Sequence, residues 1–438
     1  LGINPRAWHI NEGHPAFLII QRIRELVKKG VSLETASEAV RASTIFTKHT
    51  PVPAGHDLFN EKMIEMFFAK IAEEMGLDLK AFLALAWDAQ RDSFNLTLLA
   101  LNQSYLSNGV SWLHGRVARD MFRTHYSRLH PEEIPITSIT NGVHIGSWLA
   151  CELRDLYSRY IGKGFVDQVN QCQVWEKVDN IPDEELWRVH RYLKEKMIDF
   201  VRVSLKKQRR RNYELSRRIL EVDEYLSPEV LTIGFARRFA TYKRATLLFR
   251  DRERLSRLVN DPYRPVRFIF AGKAHPADTA GQELIKQIYD LSNESDFRGK
   301  IVILEDYDIH MARHLLQGVD VWLNTPRRLM EASGTSGQKA ALNGVVNVST
   351  LDGWWPEAYD GKNGFAVGTE YEYRDEEVQD QDDCYSLYSI LEEKLIPMYY
   401  RKQSGLSVEW VQMMKESIKT IAPEFNTNRM VAEYTERF

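Results

Sequence analysis

The chain has little that would tie it to a membrane, to nucleic acid or to a disulfide framework. None of its apolar stretches approaches the roughly 18 residues needed to cross a bilayer, and no signal-peptide pattern is found. Net charge is only −3, with basic and acidic residues interspersed, so neither nucleic acid nor an anionic membrane is implied as a partner. The three cysteines, Cys151, Cys172 and Cys384, are an odd number, widely spaced and without metal-ligand spacing. They predict reduced thiols in a cytoplasmic protein, and no metal site. Internal repeats and low-complexity tracts are missing too. What is left is a soluble chain of 438 residues, enough for two or three domains with ample core.

Hydrophobic patterning divides that length. Up to residue 142 it is mostly helical, with apolar residues at helical spacing from Pro15 to Lys28 and from Glu61 to Met75. The loop Thr47–Asp57 carries prolines, a glycine and histidines, and is expected as irregular backbone near the surface or a cleft. Residues 182–222 form a charged helical region containing Lys206-Lys207-Gln208-Arg209-Arg210-Arg211. A solvated helix face is the expectation there, ahead of a nucleic-acid patch. From Val230 onward, apolar runs (231–235, 266–271, 301–304, 319–323 and 345–348) alternate with helical patterns, notably Gly281–Ser292 and Met311–Gly318. That rhythm predicts an α/β fold, a doubly wound parallel sheet covered on both faces. Ligands of such sheets sit beyond the carboxyl ends of the strands. Arg237–Arg244, Gly272–Pro276, Tyr307 and Glu331–Lys339 each follow one of these runs, so a single site on one sheet edge is expected.

The last of these segments holds the most chemistry. After the run 319–324 come Glu331-Ala332-Ser333-Gly334-Thr335-Ser336-Gly337-Gln338-Lys339, leading into an Ala/Leu helix. Free N–H groups at a helix start, glycines that let backbone approach closely and three hydroxyls make a cradle for an anion. A lysine beside such a cradle can hold the aldehyde of a phosphorylated cofactor. The plain alternative is an exposed helix-start lysine after a flexible loop. Arg237, Arg238, Tyr242, Lys243 and Arg244 cluster behind another strand. Arginines clamp phosphate through paired hydrogen bonds and lysine adds a point charge, the alternative being a charged loop before a surface helix.

Residues 331–344, followed by Val348–Trp355 (VSTLDGWW), resemble the cofactor segment of the α-glucan (glycogen, starch, maltodextrin) phosphorylases, most closely their short bacterial and archaeal branch. Further matches run collinearly: Asn11–Phe17 (NEGHPAF), Thr47–Asp57 (TKHTPVPAGHD), Gly109–His114 (GVSWLH), Thr140–Val143 (TNGV), Arg237–Arg244 (RRFATYKR) and Gly272–Pro276 (GKAHP). The resemblance implies a GT-B arrangement of two Rossmann-like domains facing a cleft. Residues 1–142 would be the end of the N-terminal domain. Residues 143–438 would form the cofactor- and phosphate-binding domain, with the helix near Val408–Ile421 crossing back. It implies pyridoxal 5'-phosphate bound at Lys339, with Thr335, Ser336 and Arg237 near its phosphate and Trp148 and Tyr307 beside its ring. Arg238 and Lys243 would hold orthophosphate, with Tyr242 among the substrate contacts. Glu331, Ser333 and Gly334 would grip the 3- and 4-hydroxyls of the glucosyl unit. His114 and Asn141 would meet its 6-hydroxyl, with the His114 region also facing the reacting carbon.

The reaction implied is reversible phosphorolysis of an α-1,4-glucan or maltodextrin by orthophosphate to glucose 1-phosphate, in a homodimer of the cytoplasm. Asn11, Glu12 and His14 match a motif near the cleft, with a capping or supporting role as the alternative. Trp354 and Trp355 either line the cleft or pack. Three positions depart from the family pattern: Arg237 stands for a lysine, Ala240 for a histidine and Gln338 for a methionine. The chain opens on Leu1 with a motif that family members carry in mid-chain, so it is expected to be the C-terminal portion of a longer enzyme. Two other readings follow. One is a truncated fragment that binds glucan or cofactor without turnover. The other is a nucleotide-sugar-dependent, glycogen synthase-like transferase; those enzymes generally have a second glutamate where this chain has Lys339, eight residues past Glu331.

Overall fold

The computed structural model describes residues 5–52 and 55–437; Pro53 and Ala54 of the Thr47–Asp57 motif lie outside the described residues. The chain divides into two compact units. One comprises the chain up to Thr140, Leu329–Ser333 and the segment from Ala432; the other comprises Asn141–Arg328 and Gly334–Val431.

The first unit is built on a parallel sheet in the order β1 (Trp8–Asn11), β2 (Thr44–Thr47), β3 (Leu106–Gly109) and β4 (Thr137–Ser138). A second, antiparallel sheet has Ser93–Asn95 at its centre, flanked by Leu58–Phe59 and Trp87–Asp88. Helical residues outnumber strand residues in this unit, as the patterning predicts. What the patterning does not show is the two sheets, because strands of two to four residues are too short to display the alternation that identifies a strand. Helices α1 (Phe17–Lys28) and α2 (Glu61–Glu74) form where the spacing placed them. Ile19, Ile20 and Ile23 of α1 are buried against Phe46 and Phe94 in one apolar cluster. Helix α3 (Trp112–Met121) starts at Ser111, whose Oγ accepts from His114 N at 3.0 Å, the usual N-cap bond.

The second unit contains one six-stranded, all-parallel sheet. Its strands are β5 (Leu231–Ala236), β6 (Val266–Ala271), β7 (Ile301–Leu304), β8 (Val321–Asn324), β9 (Val346–Thr350) and β10 (Gly364–Val367), in the order β7-β6-β5-β8-β9-β10. All but Arg267 and Ala366 of these strand residues are buried, as a sheet covered on both faces requires. β10, glycine-led and at the edge, has no counterpart among the apolar runs. From β5 the chain moves outward to β6 and β7, then returns to the other side of β5 for β8. The order therefore reverses between β5 and β8, which is where doubly wound sheets open a crevice at the strand ends.

The helices α4 (Asp183–Arg211), α5 (Thr279–Asn293) and α6 (Ile309–Gly318) flank this sheet, the last two capped by Asp278 (from Gly281 N, 2.9 Å) and Asp308 (from Met311 N, 2.8 Å). The basic cluster at the end of α4 is a solvated face only in part, with Lys207, Arg210 and Arg211 exposed. Gln208 and Arg209 are buried, Lys206 pairs with Asp223 at 2.6 Å, and Arg211 pairs with Glu305 and Asp306. After β8 comes the short α7 (Ser336–Ala341), then α8 (Glu376–Ser389), α9 (Val408–Ile421) and α10 (Thr427–Arg437). Helix α9 packs on α4, α7 and β9 within the second unit, and it is the end of α10, from Ala432, that belongs to the first. Among the described residues no helix is long and apolar enough to cross a membrane.

Candidate active site

The switch point puts two of the chemistry-bearing segments side by side in the second unit. Arg237–Arg244 leaves the carboxyl end of β5, and the segment leading to α7 leaves that of β8. Arg327 N donates to Tyr242 O at 2.7 Å, and Thr325 Oγ1 donates to Lys243 O at 3.2 Å, so the two segments are laced by backbone groups. The side chain of Arg238 is exposed and that of Lys243 is buried, its ammonium 4.8 Å from the Tyr242 ring centre. Arg244, grouped with these cations by sequence, points elsewhere. Its guanidinium donates to the carbonyls of Thr325 and Pro326 and to the carboxylates of Asp380 and Asp383. It braces the loop and is not available to an anion.

Lys339 lies on α7, three residues past the helix start. Gly334, at φ +74°, turns the loop ahead of it through a conformation that favours glycine. Gly337 lets α7 sit close to the sheet: a Cβ there would lie 2.6 Å from Asn347 Oδ1 and 2.8 Å from the Trp354 ring. The Lys339 ammonium stands 4.0 Å from the Trp148 ring centre. No carboxylate pairs with it among the described residues, and burial holds its pKa below the ordinary lysine value. A desolvated amine without a counter-ion has a larger neutral, nucleophilic fraction. Trp148 and Tyr307 both pack on the apolar cluster that includes Ala340 of α7. Burial pushes the Tyr307 phenol up to about 12, so it stays protonated near neutral pH. Thr335 O accepts from Lys339 N at 3.1 Å, and Ser336 Oγ donates to Asn324 Oδ1 at 3.3 Å. A reactive amine, an aromatic face and a glycine-turned, hydroxyl-bearing loop together fit a group with an aldehyde, a planar ring and an anionic tail.

Two residues without an assigned role in the sequence hold this arrangement. Asn343, fully buried, donates to Trp148 O at 3.0 Å and to Lys339 O at 2.8 Å, and accepts from Ala150 N at 2.9 Å. Gln338, also fully buried, donates to Asn141 O at 3.1 Å. Asn343 stood in the recognised run, but nothing local says that its amide reaches back almost two hundred residues. Trp354 and Trp355 are buried and pack with Ala341, Ile421 and Phe425.

In the first unit, His114, Glu331 and Ser333 come together through Ser111. Besides capping α3, Ser111 Oγ donates to Ala332 O at 2.6 Å, fixing the backbone between Glu331 and Ser333 beside the helix start. His114 is buried and its Nδ1 accepts from Val110 N at 3.2 Å. Burial, reinforced by the positive charge of Lys48, lowers its pKa to about 4, so it is neutral at pH 7. Asn11 and Glu12 support the Thr47–Asp57 motif: Asn11 Oδ1 lies 2.8 Å from His49 Nε2, and Glu12 pairs with the buried Lys48 at 2.7 Å and accepts from His49 N at 2.7 Å. Burial works against the Glu12 carboxylate, but Lys48 and the hydrogen bonds it accepts bring its pKa below the usual value.

A model of the carbohydrate phosphorylase family matches residues 4–393. The chain belongs to this family. It is 47% identical over 438 residues to a maltodextrin phosphorylase of Thermococcus litoralis, covering all of this chain and 51% of that protein. It is 41% identical over 441 residues to a glycogen phosphorylase of Aquifex aeolicus (100% of this chain, 63% of the relative). It is 39% identical over 442 residues to a glycogen phosphorylase of Mycobacterium tuberculosis (99% and 51%). The chain thus spans about half the length of two of these curated relatives and 63% of the third.

Proposed function

We propose that this member of the carbohydrate phosphorylases carries the cofactor- and phosphate-binding machinery of an α-glucan phosphorylase. The reaction is reversible transfer of the terminal glucosyl unit of an α-1,4-glucan or maltodextrin to orthophosphate, giving glucose 1-phosphate with retained configuration. One observation carries the reading: Lys339 is a half-buried amine without a counter-ion among the described residues, set against Trp148 at the end of a glycine- and hydroxyl-bearing loop. Lys339 would hold pyridoxal 5'-phosphate covalently, Thr335, Ser336 and Arg237 would receive its phosphate, and Trp148 and Tyr307 would enclose its ring. When bound, the cofactor supplies a phosphate whose second pKa, about 6, suits proton exchange at neutral pH.

The chain's own residues then bind and orient. Arg238 and Lys243 hold orthophosphate, with Tyr242 alongside. Glu331, Ser333 and Gly334 take the 3- and 4-hydroxyls of the sugar, and Asn141 and His114 take its 6-hydroxyl. His114, neutral at pH 7, can donate from one ring nitrogen while the other accepts from Val110, without adding charge beside a cationic reacting carbon. The three free cysteines fit a reducing cytoplasm.

Because the chain spans about half of two relatives, cofactor binding without turnover by this chain alone is the second reading. Two measurements separate them. Borohydride treatment of the chain mixed with pyridoxal 5'-phosphate should fix one cofactor on the peptide bearing Lys339 and none in Lys339→Ala; labelling elsewhere, or equal labelling of the variant, overturns the assignment. Release of glucose 1-phosphate from maltodextrin and orthophosphate by the chain supports the catalytic reading. Clean labelling without release supports the binding one.

A further inference from the structure

Helix α7 and the turn that follows it grip the segment Asn141–Ala150 from two points, one on each side of Lys339. Asn343 holds the Trp148 carbonyl and the Ala150 amide, and Gln338 holds the Asn141 carbonyl. The Gln338 side chain is fully buried, yet only its amide N–H is used: Oε1 has no hydrogen-bond partner among the described residues. A buried acceptor left unsatisfied destabilises a fold. An apolar side chain of the same length would fill the space without that cost. Stability therefore does not account for a glutamine here, whereas its reach to Asn141 does.

The rest of the Asn141–Val143 segment is rigidly held. Val143 N donates to Phe425 O at 2.9 Å, Thr427 N donates to Val143 O at 3.1 Å, and a Cβ on Gly142 would lie 2.2 Å from Asn426 O. Asn141 is the residue next to this anchored pair, and no backbone–backbone bond of its own carbonyl is present among the described residues. The Gln338 amide supplies the missing fixture, from the residue adjacent to Lys339.

We propose that Gln338 is a positioning residue. Through the Asn141 carbonyl it sets the orientation of Asn141 toward the sugar, and it ties that orientation to the helix that carries Lys339. This rests on the role given to Asn141 in the proposed function. The step is purely conformational, and Gln338 touches neither substrate nor cofactor.

The decisive variant is Gln338→Met, similar in length and apolar, with Gln338→Asn as a shorter amide that cannot reach Asn141 O. Folding stability of Gln338→Met should equal or exceed that of the parent, and borohydride fixing at Lys339 should be unchanged. Hydrogen exchange of the peptide spanning Asn141–Ile145, followed by mass spectrometry, should be faster in both variants by about fivefold, the loss expected for one hydrogen bond of about 1 kcal/mol. Calorimetric titration of the cofactor-loaded chain with glucose 1-phosphate should show a similar fivefold loss of affinity in both variants. In any turnover assay the loss should fall on KM for the sugar substrate rather than on kcat. Unchanged exchange at 141–145 overturns the inference whether or not the chain is active. Faster exchange with unchanged glucose 1-phosphate affinity overturns it as well, by leaving Gln338 a purely structural role. A parent chain that fixes no cofactor and binds no glucose 1-phosphate instead overturns the proposed function, a result distinct from either.

Discussion

Arg244 donates to Asp383 at 2.7 Å across 139 residues of sequence, and both side chains are buried. Asp380 takes a second donor of the same guanidinium at 2.9 Å. Helix α8 thereby braces the Arg237–Arg244 loop and holds the backbone that presents Lys243. Arg244 itself adopts φ +46°, outside the range most side-chain-bearing residues prefer, and its ion pairs and carbonyl contacts hold it there.

Breaking this brace should be costly. Asp383→Ala leaves a buried guanidinium with one carboxylate fewer, and a loss of about 3 kcal/mol in stability is expected. Urea unfolding of the chain measures it. Asp383→Asn, which keeps the shape and one acceptor, should lose less, and both variants should bind orthophosphate more weakly as Lys243 loosens.

Gly337→Ala tests how α7 is seated. Its Cβ would meet Asn347 Oδ1 and the Trp354 ring at less than van der Waals distance, and overpacking of this kind costs about 1–3 kcal/mol. Helix α7 should shift, so borohydride fixing of cofactor at Lys339 should fall sharply. Retention of normal fixing with normal stability would show that the helix has more room than the structure gives it.

Ser111→Ala removes two bonds at once, the cap to His114 N and the donor to Ala332 O. A loss of about 1–2 kcal/mol is expected. Faster amide exchange should appear both at the start of α3 and across Glu331–Ser333. Ser111→Thr, which keeps the hydroxyl, should restore most of it. An effect confined to α3 would mean that the Ala332 contact contributes nothing.

Stability should depend on two buried histidines of the first unit. Burial, with Lys48 nearby and Arg91 also facing His56, lowers the His56 pKa to about 4, and His114 is lowered to about 4 as well. Between the ordinary 6.5 and about 4, the unfolded chain takes up these protons and the folded chain does not. Stability is therefore complete above pH 6.5 and falls as pH drops through that window, by up to about 3 kcal/mol for each group. Urea midpoints from pH 7.5 down to 4.5 would show it, and His56→Gln combined with His114→Gln should flatten the curve.

Much of the second unit was legible without coordinates. Five of its six strands coincide with apolar runs, because a strand buried on both faces is predominantly apolar. The positions of Arg237–Lys243 and Lys339 followed from where those runs end. The first unit was less legible: strands of two to four residues, such as Thr137–Ser138, leave no periodic trace. Basic residues misled most. Arg244 and Arg211 look identical in sequence to anion-binding or solvent-facing arginines, and their carboxylate partners lie far along the chain.

The amino-acid order by itself determined the family, the parallel sheet and the place of Lys339 after one of its strands, since these depend on local pattern and on collinear motifs. Which groups are unpaired, which are braced and which share a partner was decided only by tertiary structure. Lys339 stands without a counter-ion among the described residues, Arg244 has two, and Gln338 reaches Asn141, all through burial and packing between residues remote in sequence. Those are properties of the folded surroundings of a side chain, and no window of neighbouring residues contains them.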